Sequence, residues 1–403
     1  MKINQPITFE EFKILSVTVV FAICGMLGVD IHLASLPHIM AYMNTDKAHM
    51  QQSVSIFLLG MSGSLLFYGP LSDKYGRKPI VIFGLAFASI ASFICALSTH
   101  IQTFLFLRLL QGIGSGVCMG VGRTIIADVL QGVRLSSVGS YFSMFLSLSP
   151  VLAPALGGYI QNLFGWQANF IALGLILTTA LFLYMFLCPE TNKHINPYAF
   201  SAKGLYENYK SLLFHPIFLG ATLITGLTMA ANMAYATISP FMFQIQFNLS
   251  PIAYGWLTAI AGAGGFVGKF IMPFALRQFG SEKTLYSGLI LLSLAGLWML
   301  FFVLLNIINV PLIMIAVFFT IFSQSFIFPI TSSLALSPFH DKRGSAGALY
   351  GSFQMLTAFL SSAIVGYLAH DGIIVLGVTY VILGLLGISI YKVLSKIGIE
   401  DSL

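Results

Sequence analysis

Long apolar runs separated by short polar stretches organise almost the whole chain of 403 residues. A helix needs about 20 apolar residues to cross the hydrocarbon layer of a membrane, and about twelve runs reach that length. Gly and Pro recur inside the runs, which membrane helices tolerate. The pattern predicts an all-α integral membrane protein with twelve transmembrane helices, numbered here as spans 1 to 12. The predicted spans cover residues 12–36, 49–72, 79–98, 101–126, 136–162, 166–188, 216–246, 251–275, 284–306, 310–336, 344–369 and 373–394.

The longest polar stretch, at residues 189–214, divides the spans into two groups of six. We predict an N-terminal six-helix bundle at 1–188, a cytoplasmic linker at 189–214 and a C-terminal six-helix bundle at 215–403. The ligand site is expected between the two bundles.

The two groups of spans also repeat each other in sequence. A shift of 208 residues brings Gly139 onto Gly347, and a shift of 204 residues brings Gly76 onto Gly280. Together, such matches indicate two pseudo-symmetric bundles related by an axis along the membrane normal.

The composition excludes a soluble domain, because only 8% of the residues are charged and soluble domains carry about 25%. The net charge of +6 does not indicate nucleic-acid binding, since the cations lie in short loops between apolar runs. Fifteen of the 19 Lys and Arg residues fall on the side of the membrane where the chain begins, and only Lys47 falls in the opposite loops. Positively charged loops stay in the cytoplasm, so we predict that both termini are cytoplasmic.

The sequence carries no signature of catalysis or of cofactor binding. The four cysteines lie within or at the edges of apolar runs, far from one another. There is no Gly-rich phosphate loop ending in Lys-Ser/Thr, no acidic metal-binding motif and no nucleophile–base pair in the spans. We therefore expect no enzyme, no metal site and no cofactor, with energy drawn from an ion gradient or from the substrate itself.

The loop between spans 2 and 3 reads Gly-Pro-Leu-Ser-Asp-Lys-Tyr-Gly-Arg-Lys at residues 69–78. It resembles the loop 2–3 motif of the major facilitator superfamily, G-x-L-x-D-[RK]-x-G-[RK]-[RK]. The resemblance implies the fold of that family. It also implies a cytoplasmic gate, for which the candidate residues are Gly69, Asp73, Gly76, Arg77 and Asp128.

Within this gate, the family implies that Asp73 faces the positive N-terminus of span 11. Arg77 can reach Asp128 at the cytoplasmic end of span 4. The second half has Arg277 at the position of Asp73, so the charge network is expected in the first half only. A loop that merely obeys the positive-inside rule is the alternative, but it explains neither Asp73 nor the two glycines.

Span 4 contains Arg-Leu-Leu-Gln-Gly-Ile-Gly from Arg108, which resembles the family signature R-x-x-Q-G-x-G. An arginine this deep in a membrane should face the protein interior and have a partner. The one acid well inside a span is Asp30, and both residues lie roughly 10 Å below the outer surface by helical rise. We predict that the Asp30–Arg108 pair couples transport to protons. A permanent structural pair is the alternative, as is an Arg108 that extends to the outer interface.

Span 5 contains Ser-Pro-Val-Leu-Ala-Pro-Ala-Leu-Gly-Gly at residues 149–158. It is similar to the antiporter signature G-x-x-x-G-P-x-x-G-G, although alanine replaces the glycine before the second proline. Pro150 and Pro154 are expected to bend the helix. The resemblance implies that Gly157 and Gly158 pack closely against span 8 and that the chain is an exporter; an ordinary kinked helix is the alternative.

Three further segments resemble the bicyclomycin/chloramphenicol resistance branch of the superfamily, which comprises twelve-span drug:proton antiporters. They are residues 30–37, residues 238–243, and residues 337–339 with 344–348. The resemblance covers about residues 14 to 390. His32 stands where the branch usually has an aromatic residue, two places after the acid. The Gln-Ala-Asn-Phe that follows Trp166 also departs from the pattern of the branch.

Candidate substrate contacts are polar, aromatic and methionine side chains on the expected inner faces of the spans. Aromatic and methionine surfaces adapt to varied apolar ligands. Arg123 and Lys269 are expected to extend to the cytoplasmic surface, with a lid over the inner mouth as the alternative for Arg123. His32 and His38 are expected to be wetted near the outer mouth. The substrate-cavity candidates are Met26, Gln111, Tyr141, Met144, Asn232, Met233, Tyr235 and Gln324.

The sequence therefore predicts a proton-coupled secondary active exporter of small amphipathic organic molecules such as drugs, which works by alternating access. The coupling site is expected in the first half, because the repeat position of Asp30 is Met233. We expect a monomer in the bacterial inner membrane, with protons, lipid and a small molecule as its partners. The alternatives are an exporter of a dedicated metabolite or siderophore, an importer or facilitator of the same fold, and a transporter-like sensor or chaperone-type membrane protein.

Overall fold

A computed structural model describes residues 8–130, 134, 138, 142, 145–146, 149–193, 195–197, 199–339, 343–368 and 372–396. All regular secondary structure in this part of the chain is helical. Ten of its helices are long and apolar enough to cross a membrane. One of these ten is broken into two spans, and a further helix is the described part of span 5, so the structure agrees with the twelve predicted spans.

The first half forms spans 1 to 6. Span 1 continues beyond its long helix through a short 3₁₀ turn at Leu33–Ser35 and a helix at Leu36–Tyr42, which is further than the sequence predicted. The long helices of this half are Phe9–Asp30, Lys47–Tyr75, Arg77–Ala96, Ile101–Val129, Ser149–Phe164 and Trp166–Leu187.

The second half forms spans 7 to 12. The helix Pro251–Leu304 contains spans 8 and 9, which are separated at Gly280, where φ is 77°. Its counterpart between spans 2 and 3 is Gly76, with φ of 95°. The two sequence repeats thus share a glycine where the backbone needs a positive φ. The helices are Pro216–Phe241 with a π-helical extension at Met242–Gln246, Pro251–Leu304, Val310–Leu336, Arg343–Leu368 and Gly372–Lys396.

The number of spans is even, so the first and last described helices begin and end on the same face of the bundle. We call the face where Phe9 and Lys396 lie the terminal face, and the opposite one the distal face. The linker crosses the terminal face and contains a helix at Ala202–Leu213 that the sequence analysis did not predict. Tyr209 of this helix donates a hydrogen bond to the carbonyl of Leu66 in span 2 at 2.7 Å. Burial raises the pKa of Tyr209 to about 12, so its hydroxyl stays protonated as a donor.

Each half has its own apolar cluster, since one extends from Ile14 to Cys188 and another from Leu212 to Leu394. A third cluster combines residues of both halves. Spans 2 and 11 pack along each other where the halves meet. Ser62 Oγ donates to the carbonyl of Ser352 at 3.0 Å, and Ser352 Oγ donates to the carbonyl of Ser62 at 2.9 Å.

Glycines set the distance between spans 2 and 4. A Cβ added to Gly60 would overlap the carbonyl oxygen of Leu109, and a Cβ added to Gly112 would overlap the carbonyl oxygen of Phe57. The two backbones therefore touch without intervening side chains, as small residues allow in membrane helices.

This contact predicts opposite effects for two substitutions in the same helix. Gly60→Ala should lower the unfolding free energy by about 1–3 kcal/mol, because the added methyl group overpacks the interface. Gly63→Ala should be neutral or stabilising, because a Cβ there meets nothing within 4 Å and alanine favours helix. Thermal unfolding of the two detergent-purified variants measures the difference. Equal melting temperatures would contradict the contact.

Candidate functional site

A cavity of about 850 Å³ lies between the two halves. Its walls come from spans 1, 2, 4, 5, 7, 8, 10 and 11. A volume of this order suits a drug-sized ligand. Of the residues predicted for the cavity or for coupling, those on its wall are Met26, Asp30, Asn232, Met233, Tyr235 and Gln324.

Three predicted cavity residues are not among these. Gln111 is fully buried between spans 3 and 4, where its amide donates to Ser92 Oγ at 2.6 Å. The sequence prediction for Gln111 is therefore wrong, because its side chain is turned away from the cavity. Tyr141 and Met144 lie outside the described residues.

The two walls of the cavity differ in chemistry. The described wall of the first half is mainly apolar, with Val29, Leu33, Met119 and Ile126 among its residues. The wall of the second half is rich in uncharged polar groups, namely Thr225, Thr228, Asn232, Tyr235, Thr258, Gln324, Ser325, Ser332 and Gln354. A ligand that fills the space meets apolar surface on one side and hydrogen-bonding groups on the other.

Asp30 is the one acidic residue on the described wall. It ends the long helix of span 1 and shares a face with Met26, one turn earlier. Asp30 is only 5% exposed, and no described residue gives its carboxylate a hydrogen bond or an ion pair. An unpartnered buried carboxylate is costly, which is typical of functional groups in membrane helices.

The predicted ion pair between Asp30 and Arg108 is not formed in this structure. Arg108 is fully buried, and its guanidinium donates to the carbonyls of Ser53 and Gly28 at 3.2 Å each. It also bonds Gln111 and lies 4.4 Å over the ring centre of Phe57.

Arg108 lies at about the level of Asp30, because the Gly28 carbonyl that it bonds is two residues before Asp30. The two side chains point in different directions, since Arg108 points between spans 1 and 2 while Asp30 faces the cavity. Backbone carbonyls replace the carboxylate as the partners of the buried arginine.

The predicted gate residues come together at the terminal face, in what we call the Arg77 cluster: Ser72, Asp73, Arg77 and Asp128. Arg77 Nη1 lies 2.5 Å from Asp73 Oδ1, and Arg77 Nε lies 2.9 Å from Asp128 Oδ2. Nη1 also donates to Ser72 Oγ at 2.6 Å. Arg77 is thus satisfied by two carboxylates from spans 2 and 4.

The Arg77 cluster lies against the start of span 11, as the family resemblance implied. A Cβ on Gly344 would stand 3.8 Å from Asp73 Oδ2, and a Cβ on Gly69 would stand 3.7 Å from the Cβ of Ala348. The negative carboxylate therefore meets the positive end of the span 11 helix, an attraction between the two halves.

Glu190 completes this region and was not predicted. Its carboxylate accepts hydrogen bonds from the backbone N–H groups of Arg77 and Lys78, both at 2.9 Å. It thereby caps the N-terminus of span 3. Gly76 has no room for a side chain, because a Cβ there would lie 2.5 Å from the Glu190 carboxylate.

The span 5 motif has the close packing that its resemblance implied, but on two partners. A Cβ on Gly158 would overlap the carbonyl of Pro251 at the start of span 8, and a Cβ on Gly157 would overlap the carbonyl of Ile31 in span 1. Pro154 lies inside the helix and contacts span 8 at Gly255. Pro150 lies on the cavity wall. Span 5 is therefore held against spans 1 and 8 near the distal face.

Several other sequence interpretations change. His32 is fully buried against the ring of Phe170, with a centre-to-centre distance of 5.6 Å, and is not wetted; His38 is exposed. Arg123 and Lys269 lie on the cavity wall. No group of three His, Cys, Asp or Glu residues that could hold a metal occurs in the described part of the chain.

The wall residues that sequence reasoning missed include Thr225, Thr228, Thr258 and Gln354. The wall residues of each span follow helical spacing. In span 8, for example, consecutive wall residues are three or four positions apart, namely Thr258, Gly262, Gly265, Lys269 and Met272. A search for polar residues at that spacing within each span could have found them.

Comparison with known proteins identifies the family. The family model of the Major Facilitator Superfamily matches residues 18–362. The chain is 30% identical over 331 residues to the multidrug resistance protein MdtL of Escherichia coli strain K12, which covers 81% of this chain and 82% of that protein. It is also 30% identical over 331 residues to the multidrug resistance protein MdtL of Escherichia fergusonii, and this match again covers 81% of this chain and 82% of that protein.

Solved structures share the fold. A partially occluded inward-open conformation of the Escherichia coli xylose transporter XylE superposes with a TM-score of 0.71 at 13% identity, covering 93% of this chain and 96% of that one. The human organic anion transporter MFSD10 superposes with a TM-score of 0.70 at 17% identity, covering 96% and 100%. The fold, the Arg77 cluster and the family match together show that this chain is a transporter, not an enzyme, and belongs to the Major Facilitator Superfamily.

Proposed function

We propose that this protein is a proton-coupled exporter of small amphipathic organic molecules in the bacterial inner membrane. The observation that carries the proposal is Asp30, the single acid on the described cavity wall, which is buried and has no partner among the described residues. A carboxylate in that position can take a proton from one side and release it to the other when the cavity changes its access.

The export of drug-like cargo is supported by three observations. The cavity has one apolar and one polar wall, the span 5 motif is similar to that of antiporters, and the relatives carry the name of multidrug resistance proteins. The distribution of Lys and Arg supports a cytoplasmic terminal face.

Contacts between the halves at both faces support alternating access. Near the distal face, Gln244 Nε2 donates to the carbonyl of Ala34 and Gln51 Nε2 donates to the carbonyl of Thr237, each at 3.0 Å. Near the terminal face, the Arg77 cluster lies against span 11. We propose that these two sets of contacts break in turn, as two bundles, 1–188 and 215–403, rock about the cavity in a monomer, with 189–214 as the linker.

Arg108 contributes indirectly in this scheme. It holds the span 1 backbone at the Gly28 carbonyl, two residues before Asp30. Movement of span 1 relative to span 4 therefore changes the surroundings of the Asp30 carboxylate, and protonation of Asp30 biases that movement.

Transport by inside-out membrane vesicles tests the proposal. Vesicles from an efflux-deficient bacterial strain that expresses the protein are energised to an acidic interior, which a pH-sensitive fluorophore reports. We expect chloramphenicol or fluorescein to dissipate part of the pH gradient, because each imported cargo molecule releases protons outward. Vesicles without the protein are the control. A gradient that no member of a broad compound panel disturbs would contradict proton-coupled export.

A further inference from the structure

The cavity carries more positive than negative charge. Arg123 and Lys269 lie on its wall, opposed by Asp30 as the only acid on the described wall. Neither cation makes an ion pair or a side-chain hydrogen bond with a described residue, whereas Arg108 donates to two backbone carbonyls and Arg77 is paired with two carboxylates. Two uncompensated cations at a ligand cavity call for a negative partner.

The two cations come from opposite halves of the protein. Arg123 shares a face of span 4 with Met119 and Ile126, at spacings of four and three residues. Lys269 lies on the cavity face of span 8 between Gly265 and Met272. A ligand held by both cations is therefore bound by the two bundles at once.

Asp30 is too far away to neutralise them. By helical rise, Asp30 lies about 32 Å along span 1 from the terminal-face end at Phe9, and Arg123 lies about 9 Å from the terminal-face end of span 4 at Val129. The axial separation of roughly 20 Å exceeds the Debye length of about 8 Å in physiological salt. Arg123 and Lys269, which we call the cationic region, and the Asp30 carboxylate are thus separate sites in one cavity.

An uncharged amide donor on the cavity wall is also without a partner in the described structure. Gln354 is only 1% exposed and lines the cavity, and its Nε2 has no hydrogen-bond partner in the described structure. Ser325 and Ser332 lie on the same wall, and their hydroxyls donate to the carbonyls of Gly265 and Pro329. A carboxylate or sulfonate accepts several hydrogen bonds, so an anionic group can satisfy the Gln354 amide together with the two cations.

We propose that the cargo is an amphipathic organic anion, whose acidic group binds between Arg123 and Lys269 and whose apolar part lies against the first-half wall. This inference rests on the proposed transport function and names its substrate class. The positive region attracts such anions and repels cationic drugs. Asp30 remains free to carry the proton.

Two dyes with the same xanthene core but opposite charge test the inference. Fluorescein is an anion near pH 7.5 and rhodamine 123 is a cation, and fluorescence polarisation reports their binding to the detergent-purified full-length protein. We expect the wild type to bind fluorescein at least tenfold more tightly. Arg123→Gln and Lys269→Gln should each weaken fluorescein binding about tenfold or more, since each removes one charge-assisted contact. Neither should weaken the binding of rhodamine 123.

The matched control is Arg277→Gln, which removes one exposed positive charge outside the cavity and should leave both affinities unchanged. Arg123→Lys should restore most of the fluorescein affinity, and melting temperatures confirm that each variant is folded. Rhodamine 123 binding as tight as that of fluorescein, no binding of fluorescein, or glutamine variants with an unchanged ratio would each overturn the inference.

Failure of this inference and failure of the proposed function give different results. If rhodamine 123 is preferred and dissipates the pH gradient in vesicles, proton-coupled export stands and the anionic cargo class is wrong. If fluorescein is preferred but no compound changes the pH gradient, the anionic site stands and proton coupling is wrong.

Discussion

The Asp30→Asn variant is expected to bind cargo with a Kd within about threefold of the wild type and to lose uphill transport completely. Asparagine has nearly the shape of the protonated aspartic acid but cannot release a proton. Asp30 makes no ion pair or hydrogen bond with a described residue, so the substitution removes no structural contact. Arg108 keeps its carbonyl partners on Ser53 and Gly28, so the fold should be retained.

Two measurements on proteoliposomes separate coupling from binding. Uphill accumulation of cargo under an imposed pH gradient should vanish in Asp30→Asn, while exchange of labelled for unlabelled cargo without a gradient should continue. Asp30→Glu should retain partial accumulation, because it keeps a carboxyl group at the cavity. Glu207→Gln, in the exposed face of the linker helix, removes one acid elsewhere and should behave as the wild type. Uphill transport at the native rate by a folded Asp30→Asn variant would show that another group carries the proton.

The second large effect is expected from Arg77→Ala. Arg77 joins Asp73 of span 2 to Asp128 of span 4, and it is only 7% exposed. Its removal leaves two carboxylates close together without their cation, which destabilises the arrangement in which Asp73 meets the start of span 11. Because we propose that this arrangement exists in only one of two alternating states, we expect the balance between the states to shift. We expect the transport rate to fall at least tenfold.

Lys74→Ala is the matched control for this variant. Lys74 follows Asp73 in the last turn of span 2 and lies over the ring of Tyr75, at 5.0 Å from Lys74 Nζ to the ring centre, outside the Arg77 cluster. Transport rates in proteoliposomes at equal protein content compare the two variants, and cysteine accessibility of the cavity from each face reports the shift between states. An Arg77→Ala variant that transports as fast as Lys74→Ala would reduce the cluster to a topological signal.

Hydropathy predicted the spans well because burial in lipid requires a minimum apolar length. Span 2, for example, was expected at 49–72 and is found at Lys47–Tyr75. The linker helix at Ala202–Leu213 was not predicted, because the segment is polar overall and its apolar stripe is narrow. The stripe includes Leu205, Tyr209 and Leu212 at spacings of four and three residues. That spacing is the ordinary sign of an amphipathic helix.

For the candidate site, the sequence indicates the depth of a residue in the membrane but not the direction of its side chain around the helix. Helical rise places a residue along the membrane normal, so Asp30 and Arg108 were expected at one level, and Arg108 does reach span 1 at Gly28. The direction of a side chain around its helix depends on packing that one sequence does not contain. This is why Gln111 was expected on the cavity wall but lies between spans 3 and 4. The sequence indicates the position of the Arg77 cluster more directly, because Ser72, Asp73 and Arg77 belong to one short motif and are close in sequence.

The reciprocal bonds between Ser62 and Ser352 have a consequence for the tightness of the membrane. Ser62 lies near the middle of span 2, roughly 20 Å by helical rise from either end of the helix. If the halves turn by about 15° as rigid bodies, a helix end on such a lever arm moves about 5 Å while the pivot hardly moves. The contacts at one face can then open while the two serine bonds persist. Spans 2 and 11 would then stay joined at this level throughout the cycle, so cargo could pass without opening a leak for ions along this contact.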